Sequence, residues 1–578
     1  VLGAHASEAF PAVLHPRRAH VAEHRDEPVR WLEARDGTPV ADFGTVRARR
    51  PRIVFGRGEQ PRPTRLRAGY GLTGDGRVDD STTASQNTDM SFLAGPTEGE
   101  PAEREPAERE PADAQPASFE ARVHLGFRYL EFEGRRPARV DAAVVHAAHP
   151  SAAVVECSDP QLNRVLQLLQ DSALHGVQER FVDTPTREKG QFLADAANIS
   201  YATMAAFGER EFTRQALREF SWSGRRHWNS PREHGRVNAV YPNGDGKRDI
   251  PDFSLMLPEW AEAYWRHTGD DAFVAELLPQ LEATCGYALR SVAEYGPCAG
   301  LVADLAGGSG PYLHGIVDWP APNRFGYDMS AAARTTVNAQ AFSALAATAR
   351  LSAVVGLTRQ ETALAERAEA LADAMHRLLR VDGVFVDGLA TDGSPSPHAS
   401  QHATVFPLAV GATRPECAAS DARRAASLGL RMGPMTWHRL LWALVQAGRL
   451  DDALGTVLDD PSRGPLAWIA EGATFAWESW ELAEGSDHSQ SHAWASAAWP
   501  VLVDGILGLR RVAPGRFEVR PPACRLDWVR AELPLDEGTL RVAWRRDRGR
   551  ADDGGLAVEC ELPPGTELVS SYAPQLSS

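Results

Sequence analysis

Lysine is almost missing. Only Lys189 and Lys247 occur among 578 residues, and arginine supplies the rest of the basic set. Positive charge is scarce overall, and the formal net charge is -16. That balance argues against nucleic acid and against an anionic membrane as partners, since both attract cationic surfaces. Cysteine is sparse and scattered. Cys157, Cys285, Cys298, Cys417, Cys524 and Cys560 form no Cys-x-x-Cys pair, so neither a disulfide framework nor a zinc site is expected. No apolar run approaches the roughly 18 residues of a membrane span. The segment from Val1 lacks a signal-peptide pattern, which tilts the expected location to the cytoplasm over secretion. A phosphate loop, a dinucleotide fingerprint and a Gly-x-Ser-x-Gly elbow are also wanting, and no cofactor is expected. His398 and His402 stand four apart, as in zinc helices, but no acid accompanies them, so no metal is expected there either. Nothing in the sequence indicates an oligomeric state.

What is present has the composition of an ordinary soluble globular chain, with 43% hydrophobic and 24% charged residues. Three regions differ in period. Residues 1–150 read as a β domain, with alternating segments such as Arg52–Phe55 and Phe119–Leu125 bounded by Gly and Pro. Within it, 95–116 repeats Pro-Ala-Glu-Arg-Glu, offers nothing to a core, and is expected to be a mobile insertion. Residues 151–505 read as a helical domain, with the period changing at Ser158. Ser158-Asp159-Pro160 reads as a helix start, with Ser158 at the cap. Further helices are expected near 196–207, 254–267, 271–293, 331–355, 360–380, 420–429, 436–448, 451–458 and 491–507. So many helices exceed one bundle. They suit a double ring, the (α/α)6 toroid, or a solenoid, although no fixed repeat is visible. Residues 506–578 return to strand alternation and read as a small β domain.

Two segments concentrate chemistry. Phe181–Asp195 packs Asp183, Glu188, Asp195, Arg187, Lys189 and Phe192 into fifteen residues. Glu188 and Asp195 are seven apart, so if both are helical they share one face. Helix capping by Asp183 or Thr184 accounts for some of these acids, but not for their density. Far downstream, Gly472–Trp480 places Glu478 between Trp477 and Trp480, with His492 and Trp494 close behind. Loops at Asp249–Phe253 and Asp318-Trp319-Pro320 also combine acids with aromatic rings, a mixture that suits sugars as well as turn packing. Two carboxyl groups flanking a sugar ring, with aromatic walls, are what glycosidic cleavage requires.

These residues resemble bacterial α-L-rhamnosidases of glycoside hydrolase family 78. Asp183-Thr184-Pro185-Thr186-Arg187-Glu188, continuing to Asp195, is similar to the family's Asp-Cys-Pro…Glu stretch. Gly472–Trp480 resembles its Gly-Ala-Thr-Thr-x-Trp-Glu-x-Trp. Asp42-Phe43-Gly44, Gly74-Asp75-Gly76, Gly126–Tyr129 and the His492 segment match as well. Phe192 and Ala194 depart from the Trp and Gly found in many members. The resemblance implies an (α/α)6 barrel catalytic domain flanked by N-terminal and C-terminal β-sandwich domains, releasing terminal α-L-rhamnose from rhamnose-containing oligosaccharides or glycosides with inversion. It implies Glu188 as general acid and Glu478 as general base. Asp183, Arg187, Asp195 and His492 would bind the sugar, with Phe192, Phe253, Trp319 and Trp480 as walls. An inverting pair should stand about 6.5–9.5 Å apart. Another (α/α)6 enzyme, such as an α-L-fucosidase-like hydrolase or a disaccharide phosphorylase, is the nearest alternative. An inactive carbohydrate-binding protein on the same scaffold is the other.

Overall fold

The computed structural model describes residues 21–56, 64–79, 89–92, 118–149, 151–243, 246–305, 307–308, 312–320, 326–481, 488–519, 522–546 and 555–569. The 95–116 repeat lies outside the described residues.

The N-terminal region is an eight-stranded sheet. Its spine is the long strand Pro39–Val54, which pairs antiparallel with Arg139–Ala147 on one side and Leu125–Phe132 on the other. Phe43, Ile53, Leu66, Phe127, Leu130 and Phe132 build a core of its own.

Thirteen α-helices follow among the described residues: α1 Pro160–His175, α2 Leu193–Phe207, α3 Glu211–His227, α4 Pro251–Thr268, α5 Asp271–Arg290, α6 Thr335–Val354, α7 Thr358–Leu378, α8 Gln401–Val410, α9 Pro415–Ser427, α10 Trp437–Gln446, α11 Leu450–Leu458, α12 Pro465–Ala470 and α13 Ala498–Leu507. Two kinds of helix alternate. In α2, α4, α6 and α8 most side chains are buried. In α3, α7 and α9 a narrower set of residues is buried, and the remainder is a mixture of charged, polar and small residues. By the pattern of burial the first kind forms an inner layer and the second an outer one. The inner helices touch in the order α2, α4, α6, α8, α10, α13, and α13 returns to α2.

Differences from the sequence reading have local causes. The cap of α1 is Asp159, not Ser158: its carboxylate accepts from Gln161 and Leu162 N–H, while Ser158 Oγ accepts from Asp527 N–H. Helices α3, α8 and α12 were not expected. α8 carries Pro407 and three β-branched residues, and tertiary burial outweighs that poor propensity. Val154–Cys157, assigned by sequence to the helical region, is instead a strand. It pairs with Trp528–Leu535 as the edge of the C-terminal four-stranded sheet. Alternation is clean in that sheet: Val529, Ala531 and Leu533 point inward, as do Leu540, Val542 and Trp544. Those residues belong to the same continuous core as the helices.

Candidate active site

The segment Phe181–Asp195 is a closed loop before it is a helix. Asp183 N–H donates to the Gly190 carbonyl at 3.0 Å, and Gly190 N–H donates to Asp183 Oδ1 at 2.8 Å. Thr186 to Glu188 occupy the turn between them, and Lys189 completes it at φ 54°, in the left-handed region. The condition for Glu188 and Asp195 to share a helix face, that both be helical, is therefore not met. Only Asp195 is helical, in the first turn of α2, whose cap is Phe192. Pro185 and the Asp183 staple hold the chain out of helix until Leu193.

Glu478 arrives on the loop after α12, and its backbone pairs with Ser489: Glu478 N–H donates to Ser489 O, and Ser489 N–H donates to Glu478 Oε2 at 2.8 Å. Arg187 joins the two segments. Its Nη2 donates to Glu478 Oε1 at 2.8 Å and its Nη1 to Oε2 at 3.1 Å, while its Nε donates to Glu188 Oε2 at 2.8 Å. His492 stands on the far side of Glu478. Its Nε2 meets Asp195 Oδ1 at 2.7 Å, and its Nδ1 lies 3.8 Å from Glu478 Oε2, beyond hydrogen-bond reach.

These groups line a cavity of about 420 Å³. Asp183, Arg187, Glu188, Phe192, Asp195, Phe253, Trp319, Glu478 and His492 all face it. Trp480 does not. It stacks on Trp468 with centroids 4.8 Å apart, and its indole N–H donates to the Met432 carbonyl at 2.7 Å. Trp477 also packs on Trp468. The indoles that flank Glu478 in sequence therefore anchor its loop in the core. Sequence reasoning missed Lys247, Tyr312 and His488 as wall residues, and left Trp494 outside the site. Among the described residues the buried Trp494 indole N–H has no hydrogen-bond partner, and so is a donor available to a bound hydroxyl.

Burial opposes charge on Glu478, but the His492 imidazolium and the Arg187 guanidinium outweigh it and hold the carboxyl well below the usual carboxylate range. Burial also opposes charge on His492, yet Asp195 and then Glu478 raise it to about 10. Asp183 moves the other way. Burial, with the negative charges of Asp195 and Glu188, lifts its pKa well above the usual range. Glu478 and Asp183, in one cavity, are thus shifted in opposite directions, Glu478 toward its charged form and Asp183 away from it.

Asp249 of the first acidic loop lines the cavity, but Asp252 and Asp318 are turned to protein groups instead. Asp252, in the first turn of α4, accepts from Ile316 N–H and Val317 N–H at 3.0 Å. That clamp holds a backbone in which His314, Gly315 and Val317 all have positive φ, a strain that a β-branched residue such as Val317 rarely accepts. Asp318 accepts from His402 Nε2, Gly433 N–H and Thr436 Oγ1 at 2.6–2.7 Å. Together they deliver Ile316 and Trp319 to the cavity wall, where Trp319 lies 5.9 Å from the Tyr312 ring. His398 faces Asp387 instead of Asp318, so the two histidines spaced for zinc do not converge. Among the described residues no helix is long and apolar enough to cross a membrane.

Residues 150–504, more than half of the chain, match the family model described as the bacterial alpha-L-rhamnosidase 6 hairpin glycosidase domain. Solved structures agree in fold. A family 78 rhamnosidase of Bacillus sp. GL1 is 22% identical, with a TM-score of 0.73 over 93% of this chain and 54% of its own. The alpha-L-rhamnosidase of Dictyoglumus thermophilum gives 16% identity and a TM-score of 0.77, over 94% and 58%. The Streptomyces avermitilis alpha-L-rhamnosidase, solved with L-rhamnose, gives 19% and 0.74, over 95% and 50%. The chain thus spans little more than half the length of these relatives. No curated protein matches it.

Proposed function

We propose a reaction on the premise that this chain belongs to the bacterial α-L-rhamnosidase six-hairpin glycosidase family: hydrolysis of terminal α-L-rhamnosides with inversion. The observation that carries it is the single guanidinium of Arg187, which reaches both Glu188 and Glu478 at the edge of one cavity. The closed order of contacts from α2 through α13 supports the (α/α)6 reading of the helical region.

In this mechanism Glu478 is the base. Two lone pairs of Oε2 are taken by Ser489 N–H and Arg187, and one of Oε1 by Arg187. One lone pair of Oε1 remains to orient and deprotonate a water. A carboxylate held ionised suits that role, and the imidazolium of His492 keeps it so. Glu188, at the tip of its turn, protonates the leaving oxygen. Asp183, Asp195, His492 and the Trp494 N–H meet the sugar hydroxyls, and Phe192, Phe253 and Trp319 contact its apolar face. The inverting scheme requires a water's space between Glu478 and the anomeric carbon.

The test is a panel of nitrophenyl glycosides that includes the α-L-rhamnoside, followed by proton NMR of the first product. Release from the rhamnoside with β-L-rhamnose appearing before mutarotation is the expected result. Inactivity on the rhamnoside, or α-L-rhamnose as first product, overturns the proposal.

A further inference from the structure

Four buried hydroxyls form a closed ring behind the candidate catalytic pair. Tyr70 Oη donates to Thr186 Oγ1 at 3.1 Å and lies 3.3 Å from Ser489 Oγ. Thr184 Oγ1 lies 3.0 Å from Thr186 Oγ1 and 2.8 Å from Ser489 Oγ. Tyr70 donates to Thr186, and Thr186 to Thr184 to Ser489 can continue the circuit, while the single Ser489 proton is shared between Tyr70 Oη and the Ser491 carbonyl, each 3.3 Å away. All four residues are buried.

The ring joins three parts of the chain. Thr184 and Thr186 lie on the turn that ends in Glu188. Ser489 is the residue whose N–H holds Glu478 Oε2. Tyr70 comes from the N-terminal β region, directly after the strand Thr64–Gly69, and belongs to the main core, not to the core of its own sheet. The same region makes three more approaches to these segments. Lys189 Nζ donates to the His124 carbonyl at 2.8 Å, and Val46 N–H to Thr474 Oγ1 at 2.8 Å. Gly126 lies so close that an added Cβ would stand 2.7 Å from both Pro185 and Thr186 and 3.0 Å from Tyr70 Oη. Only a residue without a side chain lets this strand rest on the turn.

Arg187 ties the two carboxylates together on the cavity side, and the hydroxyl ring ties their loops together behind. We propose that Tyr70 is a positioning residue that fixes the separation of Glu188 and Glu478, so that the N-terminal β region is part of the catalytic apparatus. This rests on the acid–base reading above. An inverting pair is sensitive to that separation, and misplacement by about 1 Å costs up to about 10²-fold in rate. Binding of the sugar depends on other side chains, chiefly Asp195, His492 and the aromatic wall.

The experiment is Tyr70→Phe, which keeps the ring and removes the hydroxyl, with Ser489→Ala and the double variant beside it. Steady-state kinetics on nitrophenyl α-L-rhamnoside, calorimetric binding of L-rhamnose and thermal melts are measured on each. Tyr70→Phe is expected to lower kcat by about 10- to 100-fold while KM and L-rhamnose affinity stay within about twofold. Ser489→Ala should lose a similar factor, and the double variant little more than either, because one ring is broken only once. A lower melting temperature with kcat unchanged overturns the proposal, as do a loss confined to KM and fully additive losses. Should Tyr70→Phe fail to fold, the kcat of Ser489→Ala decides, and an unchanged value rejects the idea. Wild-type protein that binds L-rhamnose yet cleaves no rhamnoside rejects the acid–base reading itself and this inference with it.

Discussion

Glu188 and Glu478 meet at one guanidinium, but their surroundings have little in common. The Glu188 side chain is 32% exposed, at the tip of a turn, and its one described partner is the neighbouring Arg187. The Glu478 side chain is 1% exposed and is held by Arg187 twice, by Ser489 N–H and by the nearby His492 cation. A group that must take up and lose a proton during each turnover gains from few partners and access to the leaving group. A group that must stay ionised gains from many donors. The comparison therefore supports, without reference to relatives, the proposed roles: the crowded carboxylate as base and the sparsely held one as acid.

The largest effect should follow removal of the crowded partner. Glu478→Gln is expected to lower kcat by about 10³- to 10⁴-fold, at the upper end of general-base contributions. The loss should be the same on nitrophenyl rhamnoside and on a rhamnoside with an alkyl alcohol leaving group, because the base acts on water. A loss that grows with leaving-group pKa would reverse the two roles.

Glu188→Gln comes next. On an alkyl rhamnoside it should cost about 10²- to 10³-fold, and on the nitrophenyl substrate much less, since a good leaving group needs little protonation. Equal losses on both, measured as kcat/KM, would break the distinction between acid and base.

Both carboxylates could be found by reading the chain, because acids, Arg and aromatics are too dense in Phe181–Asp195 and Gly472–Trp480 for ordinary surface. Direction was not legible. Asp252 and Asp318 stand in loops that look as fit for sugar as Asp183 does, yet they turn inward to backbone N–H groups. No local pattern says whether an acid beside an aromatic faces a hydroxyl or an amide. Long-range pairing was equally hidden. Val154–Cys157 is four residues whose partner lies in Trp528–Leu535, and a helix start follows at once. The two-kind helical region was legible in outline, since stripes in α7 and near-continuous apolar runs in α13 differ in composition. The helix α8 was masked by its own proline.

The asymmetry can be sharpened with pH. His492, raised to about 10 by Asp195 and Glu478 against the cost of its burial, is charged in the folded state and loses that advantage once deprotonated. Its contribution to stability is whole below the unfolded pKa of about 6.5 and fades as pH rises through about 10. Thermal melts of wild type and His492→Gln should therefore differ most at pH 6 and converge by pH 10, each unit of the shift being worth about 1.4 kcal/mol. A gap that widens toward pH 10 would mean that His492 is buried neutral, and that Glu478 lacks the cation credited with keeping it ionised.

The smallest effect on activity is expected at Trp480, two residues from Glu478 and turned away from it. Its ring lies between Trp468 and Trp437, and its N–H is bound to Met432. Trp480→Phe keeps an aromatic face and drops the buried hydrogen bond and part of the ring volume. It should cost about 1–3 kcal/mol of stability, in the range for a lost buried bond with a small cavity. KM for the nitrophenyl rhamnoside should remain within about twofold, because no atom of Trp480 borders the cavity. Trp319→Phe, made in parallel, alters a ring that does border it and should raise KM more than Trp480→Phe does. If the order is reversed, the aromatic wall of the site is the pair flanking Glu478 in sequence, and the crowding that singles out Glu478 as base belongs to a conformation other than the one that turns over.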